Sequence, residues 1–548
     1  MTTLDVQLFD TTLRDGTQSE GLSLSVEDKL KICRLLDGFG IHFIEGGYPG
    51  SNPKDVEFFK RARHLDLRHA RLTAFGSTRK AGIAGADDAN LRALVDAETP
   101  VVCIFGKSWL LHVVKVLGTT AEENLAMIAD SVSFLKRAGR EVVYDAEHFF
   151  DGYRADPGYA LSTLRTAAAA GADWIVLCDT NGGSLPHQVT DTVAAVRGAV
   201  TTRLGIHSHN DADLAVANAL AAVEAGCTQV QGTMNGWGER CGNANLISII
   251  PSLQLKMARR CVSDENLARL TELSRTVSEI ANIRPRAHAP YVGSSAFAHK
   301  GGAHVAAIEK VTSSYEHINP EKVGNRRKIV VSELSGRGNV RLRAGELGVD
   351  TAGSERAVVT RVKDLESQGY HFEAAEGSFE LLLRRGKPGY EPPFELLDVV
   401  VISERRRGGE MFCEATVKVK RGGETVHTVA EGTGPVHALD RAFHKALDPH
   451  YPLLKEVHLV DYKVRILDPE AAAGAKTRVL IEAARGEERW STIGVSQNII
   501  EASTEALAGA LELPLVRAAT AAADSQGADS QGFAGESRGP LVASPSPR

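Results

Sequence analysis

The chain has 548 residues, 43% of them apolar and 24% charged, and carries a formal net charge of −6. This is ordinary globular composition, and the slight negative balance gives nucleic acid or an anionic membrane no electrostatic reason to bind. No apolar run approaches the roughly 20 residues of a membrane span. The length exceeds the about 250 residues of a single large domain, so a second unit is expected.

The N-terminus enters a strand-like run, Val6 to Phe9, with no charged-then-apolar leader before it. Seven dispersed cysteines without a CxxC pair read as reduced thiols, which points to the cytoplasm and away from a thiolate zinc site. Through about residue 260, short apolar runs alternate with helical stretches. The runs are 6–10, 42–47, 71–75, 101–105, 141–147, 173–179, 203–209 and 229–233, and amphipathic or alanine-rich segments such as 26–38, 121–138, 157–170, 186–199 and 214–225 lie between them. Eight strands alternating with helices predict an α/β fold, a (β/α)₈ TIM barrel over residues 1–262. A doubly wound sheet is the rival, but no GxGxxG follows Asp10. Residues 263–385 read as a helical linker subdomain, and 384–393 (RRGKPGYEPP) has turn composition. Residues 391–515 carry a weak internal repeat, in which the pattern from Val429 to Leu447 recurs 64 residues later from Ile493 to Leu511. Such a repeat predicts a duplicated α+β domain. From 519 to 548 the chain is rich in Ala, Ser, Gly and Pro, repeats ADSQG, and is expected to be a disordered tail.

Polar residues gather just after the apolar runs: Arg14, Asp15, Glu45, Glu147, Asp179, Thr180, His207, His209, Asn235 and Glu239. In barrels this rim of strand ends builds the active site. His207 and His209 sit two apart on a strand and point the same way, as two ligands of one cation must. A lone HxH also fits packed histidines. Asp15 at the end of the first strand adds a hard oxygen, and Asn243 after the eighth offers a carbonyl oxygen. A His₂/carboxylate/amide set suits Mn²⁺, Mg²⁺, Co²⁺ or Zn²⁺. Arg14 is placed to stabilise a developing oxyanion or to serve as a salt-bridged barrel arginine. Glu147, at the end of the fifth strand, is a candidate acid or base if buried and a plain surface carboxylate otherwise. Thr180 offers a hydroxyl to a substrate carboxylate or simply closes a turn.

LFDTTLRDGTQSEG (8–21), HSHND (207–211) and GTMNGWGERCGNANL (232–246) resemble the first-, seventh- and eighth-strand signatures of the DRE-TIM metallolyases. HKGGAHVAAIEK (299–310) and SYEHINPEKVGN (314–325) resemble the helical region that 2-isopropylmalate synthases and citramalate synthases add, and 391–515 resembles their C-terminal allosteric domain. The resemblance implies Asp15, His207, His209 and Asn243 as metal ligands. It implies Arg14 as the residue that polarises a 2-keto acid, Thr180 as its carboxylate partner and Glu147 as catalytic. It also implies His304 and Tyr315 as residues reaching the active site from the other subunit of a homodimer. Some relatives carry Asn two residues after that histidine; Ala306 stands here. The implied reaction is a Claisen condensation of acetyl-CoA with a 2-keto acid, with thioester hydrolysis. EGGYPGSNPKD (45–55) and FGKSWLLHV (105–113) resemble one citramalate synthase branch, implying pyruvate as acceptor, (R)-citramalate as product, a place in isoleucine biosynthesis and feedback by a branched-chain amino acid. Tyr144 and Phe105 are expected to limit the acceptor's side chain. The alternatives are 2-isopropylmalate synthase, homocitrate synthase, a lyase or carboxyl transferase of the same barrel class, and a catalytically silent metal-binding protein.

Overall fold

The computed structural model describes residues 5–531, except 352, 406, 407 and 410. Two compact units divide it: the chain through Ala298 with Glu316–Lys328, and His299–Tyr315 with the chain from Ile329.

The first unit is a closed eight-stranded parallel barrel in sequential order: β1 (Gln7–Asp10), β2 (Phe43–Gly47), β3 (Arg71–Ser77), β4 (Val101–Lys107), β5 (Glu141–Glu147), β6 (Trp174–Asp179), β7 (Arg203–Ser208) and β8 (Gln229–Gly232). β1 pairs with both β2 and β8, which closes the ring. The strands are buried on both faces, so they read as nearly continuous apolar runs. Side chains of alternating parity serve two cores. Phe9, Phe43, Phe75, Val101, Cys103, Val143, Trp174, Val176 and Cys178 fill the lumen. The intervening positions, among them Leu8, Ile44, Val142 and Ile206, meet the helices outside. One step above the lumen core, the same inward parity carries Glu45, Asp145, Glu147, Thr180, His207 and Gln231 toward the strand C-termini.

The boundary expected at 262 falls inside this unit. Helix Leu270–Ile280 turns Leu270, Leu273 and Val277 into the barrel's outer core, and Val292 and Phe297 follow. An amphipathic helix with a buried apolar stripe has no separate core to join, so the barrel unit runs to Ala298.

In the second unit, two three-stranded antiparallel sheets are each followed by a helix. The first is β9 (Glu395–Arg405), β10 (Met411–Arg421) and β11 (Glu424–Gly432), then helix Pro435–Leu447. The second is β12 (His458–Ile466), β13 (Thr477–Arg485) and β14 (Glu488–Ser496), then a helix from Ile499. The third strands start at 424 and 488, the 64-residue shift of the sequence repeat. One face of each sheet packs on the helices around Val417, Phe443, Ile481 and Leu507. The other leaves Val400, Ile402, Val460 and Val464 exposed.

The final helix runs to Gln531 and so enters the stretch from 519 expected to be disordered. Its run AATAAA is strongly helix-forming, and Arg384 donates to the Thr520 hydroxyl at 2.9 Å. The remainder of that tail, 532–548, lies outside the described residues.

Candidate metal centre at the barrel mouth

Asp15, His207 and His209 are all buried, and one donor atom from each lies within 4.8 Å of the others. His207 Nε2 is 3.2 Å from Asp15 Oδ2 and 3.3 Å from His209 Nε2. Three converging donors of this kind match a hard or borderline divalent cation. Burial alone would raise the Asp15 carboxyl, but the Arg14 guanidinium 3.3 Å away, together with His207 and His209, holds it well below the ordinary carboxylate range. Burial and the neighbouring His207 push His209 down to about 4, which keeps a neutral imidazole available as a ligand.

His207 is oriented from behind. Its Nδ1 lies 2.7 Å from Gln231 Oε1, and Gln231 Nε2 donates to Asp145 Oδ1 at 3.0 Å. With Nδ1 held by Gln231, Nε2 is the atom turned to Asp15, and it is the atom that would ligate a bound cation, the arrangement metal-binding histidines require. Asn243 Nδ2 sits 2.7 Å from Asp15 Oδ2 and 3.2 Å from His207 Nε2. Asn243 Oδ1 is buried with no hydrogen-bond partner. A half-turn of the amide exchanges the two ends and would turn that orphaned oxygen toward Asp15 and His207, where it could join them on a cation, so the residues fit a divalent ion. Only glycine is tolerated beneath this amide: a Cβ on Gly238 would lie 1.8 Å from Asn243 Oδ1.

Arg14 is fixed on three sides. Its Nε donates to Glu45 at 2.5 Å, its Nη1 faces Asp15, and its guanidinium carbon lies 3.8 Å over the Phe75 ring. Burial pushes the Glu45 carboxyl up to about 7, against the pull of Arg14. Phe105 stacks on Phe75 at 5.4 Å, and Tyr48 meets Phe75 edge-on at 5.8 Å, forming an aromatic wall beside the guanidinium.

Three family models match the chain: HMGL-like over residues 5–277, homocitrate synthase post-HMGL domain-like over 291–370, and the LeuA allosteric (dimerisation) domain over 373–514. The (R)-citramalate synthase of Geobacter sulfurreducens is 52% identical over 514 residues, which span 93% of this chain and 97% of that protein. That of Aquifex aeolicus is also 52% identical, spanning 93% and 98%. The chain belongs to the (R)-citramalate synthase family. A 2-isopropylmalate synthase of Methanocaldococcus jannaschii is more distant, 30% identical over 92% of the chain and 93% of its own length.

Asp15, His207, His209, Asn243 and Arg14 come together. Thr180 lies at the same rim, its Oγ1 accepting from the His148 backbone N–H at 2.9 Å. Glu147, left open as a buried acid or a surface carboxylate, is partly buried: its side chain is 23% exposed and pairs with Lys107. Tyr144 is a correction. It shares the outward parity of Val142 and Ala146 and belongs to the helix-facing core. Its ring packs under Gly106, where an added Cβ would come within 2.8 Å of it. It cannot border the acceptor; Phe105, one residue position of opposite parity on β4, does face the lumen. His304 and Tyr315 belong to the second unit, where their exposed rings stack at 4.2 Å. Asp179 turns to Ser184, Asn235 ties its loop to Ser274 and Ser278, and Glu239 is exposed. Gln231, Asp145 and Lys107 went unread in the sequence, although Asp145 stands two residues before Glu147 and so shares its face.

Proposed function

We propose that this protein condenses acetyl-CoA with pyruvate and hydrolyses the thioester, giving (R)-citramalate and CoA. The observation that carries this reading is the buried Asp15–His207–His209 cluster beside Arg14, in a chain that matches (R)-citramalate synthases over nearly its whole length. In this reading Asp15, His207, His209 and Asn243 hold a divalent ion; Mn²⁺, Mg²⁺, Co²⁺ and Zn²⁺ all suit the donors. When bound, such an ion supplies Lewis acidity to the keto group.

The chain's own residues do the rest. Arg14, anchored by Glu45, keeps N–H groups for the oxygen on which negative charge develops. The Thr180 hydroxyl donates to the acceptor's carboxylate. Glu147 and, from the partner subunit, His304 with Tyr315 form the machinery that removes a proton from the acetyl methyl group. The resulting carbanion bonds to the keto carbon, the alkoxide takes up a proton, and water then cleaves the thioester to release the CoA thiol. The aromatic wall of Tyr48, Phe75 and Phe105 favours a methyl over a branched side chain at the acceptor. A cavity of about 300 Å³ beside the Asn243 loop, bordered by Arg240, Arg275, Arg284 and Arg286, offers cationic groups to the CoA phosphates.

The exposed apolar sheet faces of the second unit support assembly as a homodimer, and the duplicated domain is read as the site of feedback by isoleucine. No helix among the described residues is long and apolar enough to cross a membrane. With all seven cysteines free, the reading places the enzyme in a reducing cytoplasm. The test is CoA-thiol release from acetyl-CoA with a panel of 2-keto acids. Pyruvate should give the highest kcat/KM. A higher value with 2-oxoisovalerate would make the enzyme a 2-isopropylmalate synthase, and with 2-oxoglutarate a homocitrate synthase.

A further inference from the structure

The FGKSWLLHV segment builds something that the reaction scheme above does not use. Trp109 and His112 follow β4, and their rings stack at 5.1 Å and 23°. The His112 ring lies 4.2 Å from that of His148, which directly follows Glu147 at the end of β5, and Trp109 reaches His148 at 6.0 Å. An indole and two imidazoles thus clamp the β4 and β5 ends together. Two backbone features tighten the clamp. Ser108 N–H donates to the Glu147 carbonyl at 3.3 Å. The helix that starts at Phe149 approaches so closely that a Cβ on Gly152 would lie 2.3 Å from the Ser108 carbonyl oxygen.

The clamp holds His148 in an unusual backbone state, φ 55° and ψ 35°, the left-handed region that non-glycine residues seldom occupy. Such strain persists only where the surroundings over-determine it. Here the surroundings are the Trp109–His112 stack and Asp151, whose Oδ2 lies 3.5 Å from His148 Nδ1 and is itself held by Asn181 at 2.8 Å. The consequence falls on Thr180. The His148 N–H is aimed at Thr180 Oγ1 at 2.9 Å and takes one of its lone pairs. Among the described residues, the Thr180 hydroxyl donates to no protein acceptor, so its proton is left for an anionic ligand.

We infer that Trp109, His112 and His148 are positioning residues. They lock residue 148 in the left-handed state so that its N–H sets the Thr180 hydroxyl as a donor to the 2-keto acid's carboxylate. This inference rests on the assignment of Thr180 made under the proposed function.

A double-mutant cycle on the metal-loaded enzyme tests it. His148→Ala should raise the KM for pyruvate about tenfold or more, the loss of one hydrogen bond to a charged group, and leave the KM for acetyl-CoA unchanged. Thr180→Val should do the same, and His148→Ala should add nothing in the Thr180→Val background. His148→Asn, whose side chain tolerates the left-handed region, should recover most of the loss, which a merely structural defect would not show. Should His148→Ala fail to fold, His112→Ala, which removes only the middle ring, runs the same cycle. Additive losses, an equal rise in the acetyl-CoA KM, or wild-type pyruvate kinetics in both the His148 and His112 variants would overturn the inference while leaving the role of Thr180 intact. An unchanged pyruvate KM in Thr180→Val alone would instead refute that role, and the inference with it.

Discussion

Replacing Gln231 by leucine cuts the relay behind the metal centre without touching any of the three converging donors. Leucine matches glutamine in size, so the lumen stays filled, but both of its hydrogen bonds vanish. His207 Nδ1–H loses its acceptor among the described residues, 2.7 Å away, in a buried site, which costs about 1–3 kcal/mol for an unsatisfied buried donor. Asp145 loses the amide donor at 3.0 Å, worth roughly another 1.5–3 kcal/mol if the carboxyl is ionised; burial already pushes its pKa upward. The imidazole is then free to change tautomer or turn, and disruption of such supporting groups lowers metal affinity about 10–100-fold. Titrating metal-stripped protein with Mn²⁺ in a calorimeter, alongside a thermal melt, reads both effects. Asp145→Asn keeps an acceptor for Gln231 and should cost less than about tenfold in affinity. Wild-type Mn²⁺ affinity in Gln231→Leu would refute the view that Gln231 fixes the tautomer of His207.

Three further outcomes are expected. His42 accepts the Leu8 N–H through Nδ1 at 3.0 Å, and burial with Arg71 nearby pushes its pKa from 6.5 to about 4. The unfolded chain therefore takes up a proton that the fold refuses, so stability is complete above pH 6.5 and falls as pH drops toward 4, by about 3 kcal/mol in all. His42→Asn, which keeps an acceptor, should flatten that part of the pH–stability profile, and an unchanged acid slope would contradict the assignment. Mixing an Arg14→Ala subunit with a His304→Ala subunit should restore activity that neither homodimer has, measured as thiol release; no recovery after subunit exchange, verified by mass, would rule out a shared site. Deleting the chain from residue 391 should abolish inhibition by isoleucine, and inhibition that survives the deletion would move the effector site out of the duplicated domain.

The barrel was legible because its strands are buried on both sides: short, mostly apolar runs marked all eight within about two residues of their observed bounds. The cluster of Asp15, His207 and His209 was legible because HxH and Arg-Asp stand at or just after the ends of such runs. Parity was the information left unread. Once Glu147 is placed on the inward face, Asp145 must share it and Tyr144 must not, so the tyrosine assigned to the acceptor pocket lies among the helices. Gln231 carried no motif of its own, and its part emerges only when β7 and β8 are laid side by side, pairing His207 with it. The extent of the barrel unit was hidden for a different reason. The stripe of helix Leu270–Ile280 says that an apolar face is buried, not which core buries it. Within the tail, the alanine run 518–523 favours continuation of the preceding helix.

The most direct test of the metal centre is a crystal grown with Mn²⁺ and pyruvate and measured at the manganese absorption edge. A single anomalous peak within bonding distance of Asp15, His207 and His209, with pyruvate oxygens completing its coordination beside Arg14, is the expected result. An active enzyme whose manganese peak lies elsewhere, or whose pyruvate sits away from that peak, would contradict the mechanism.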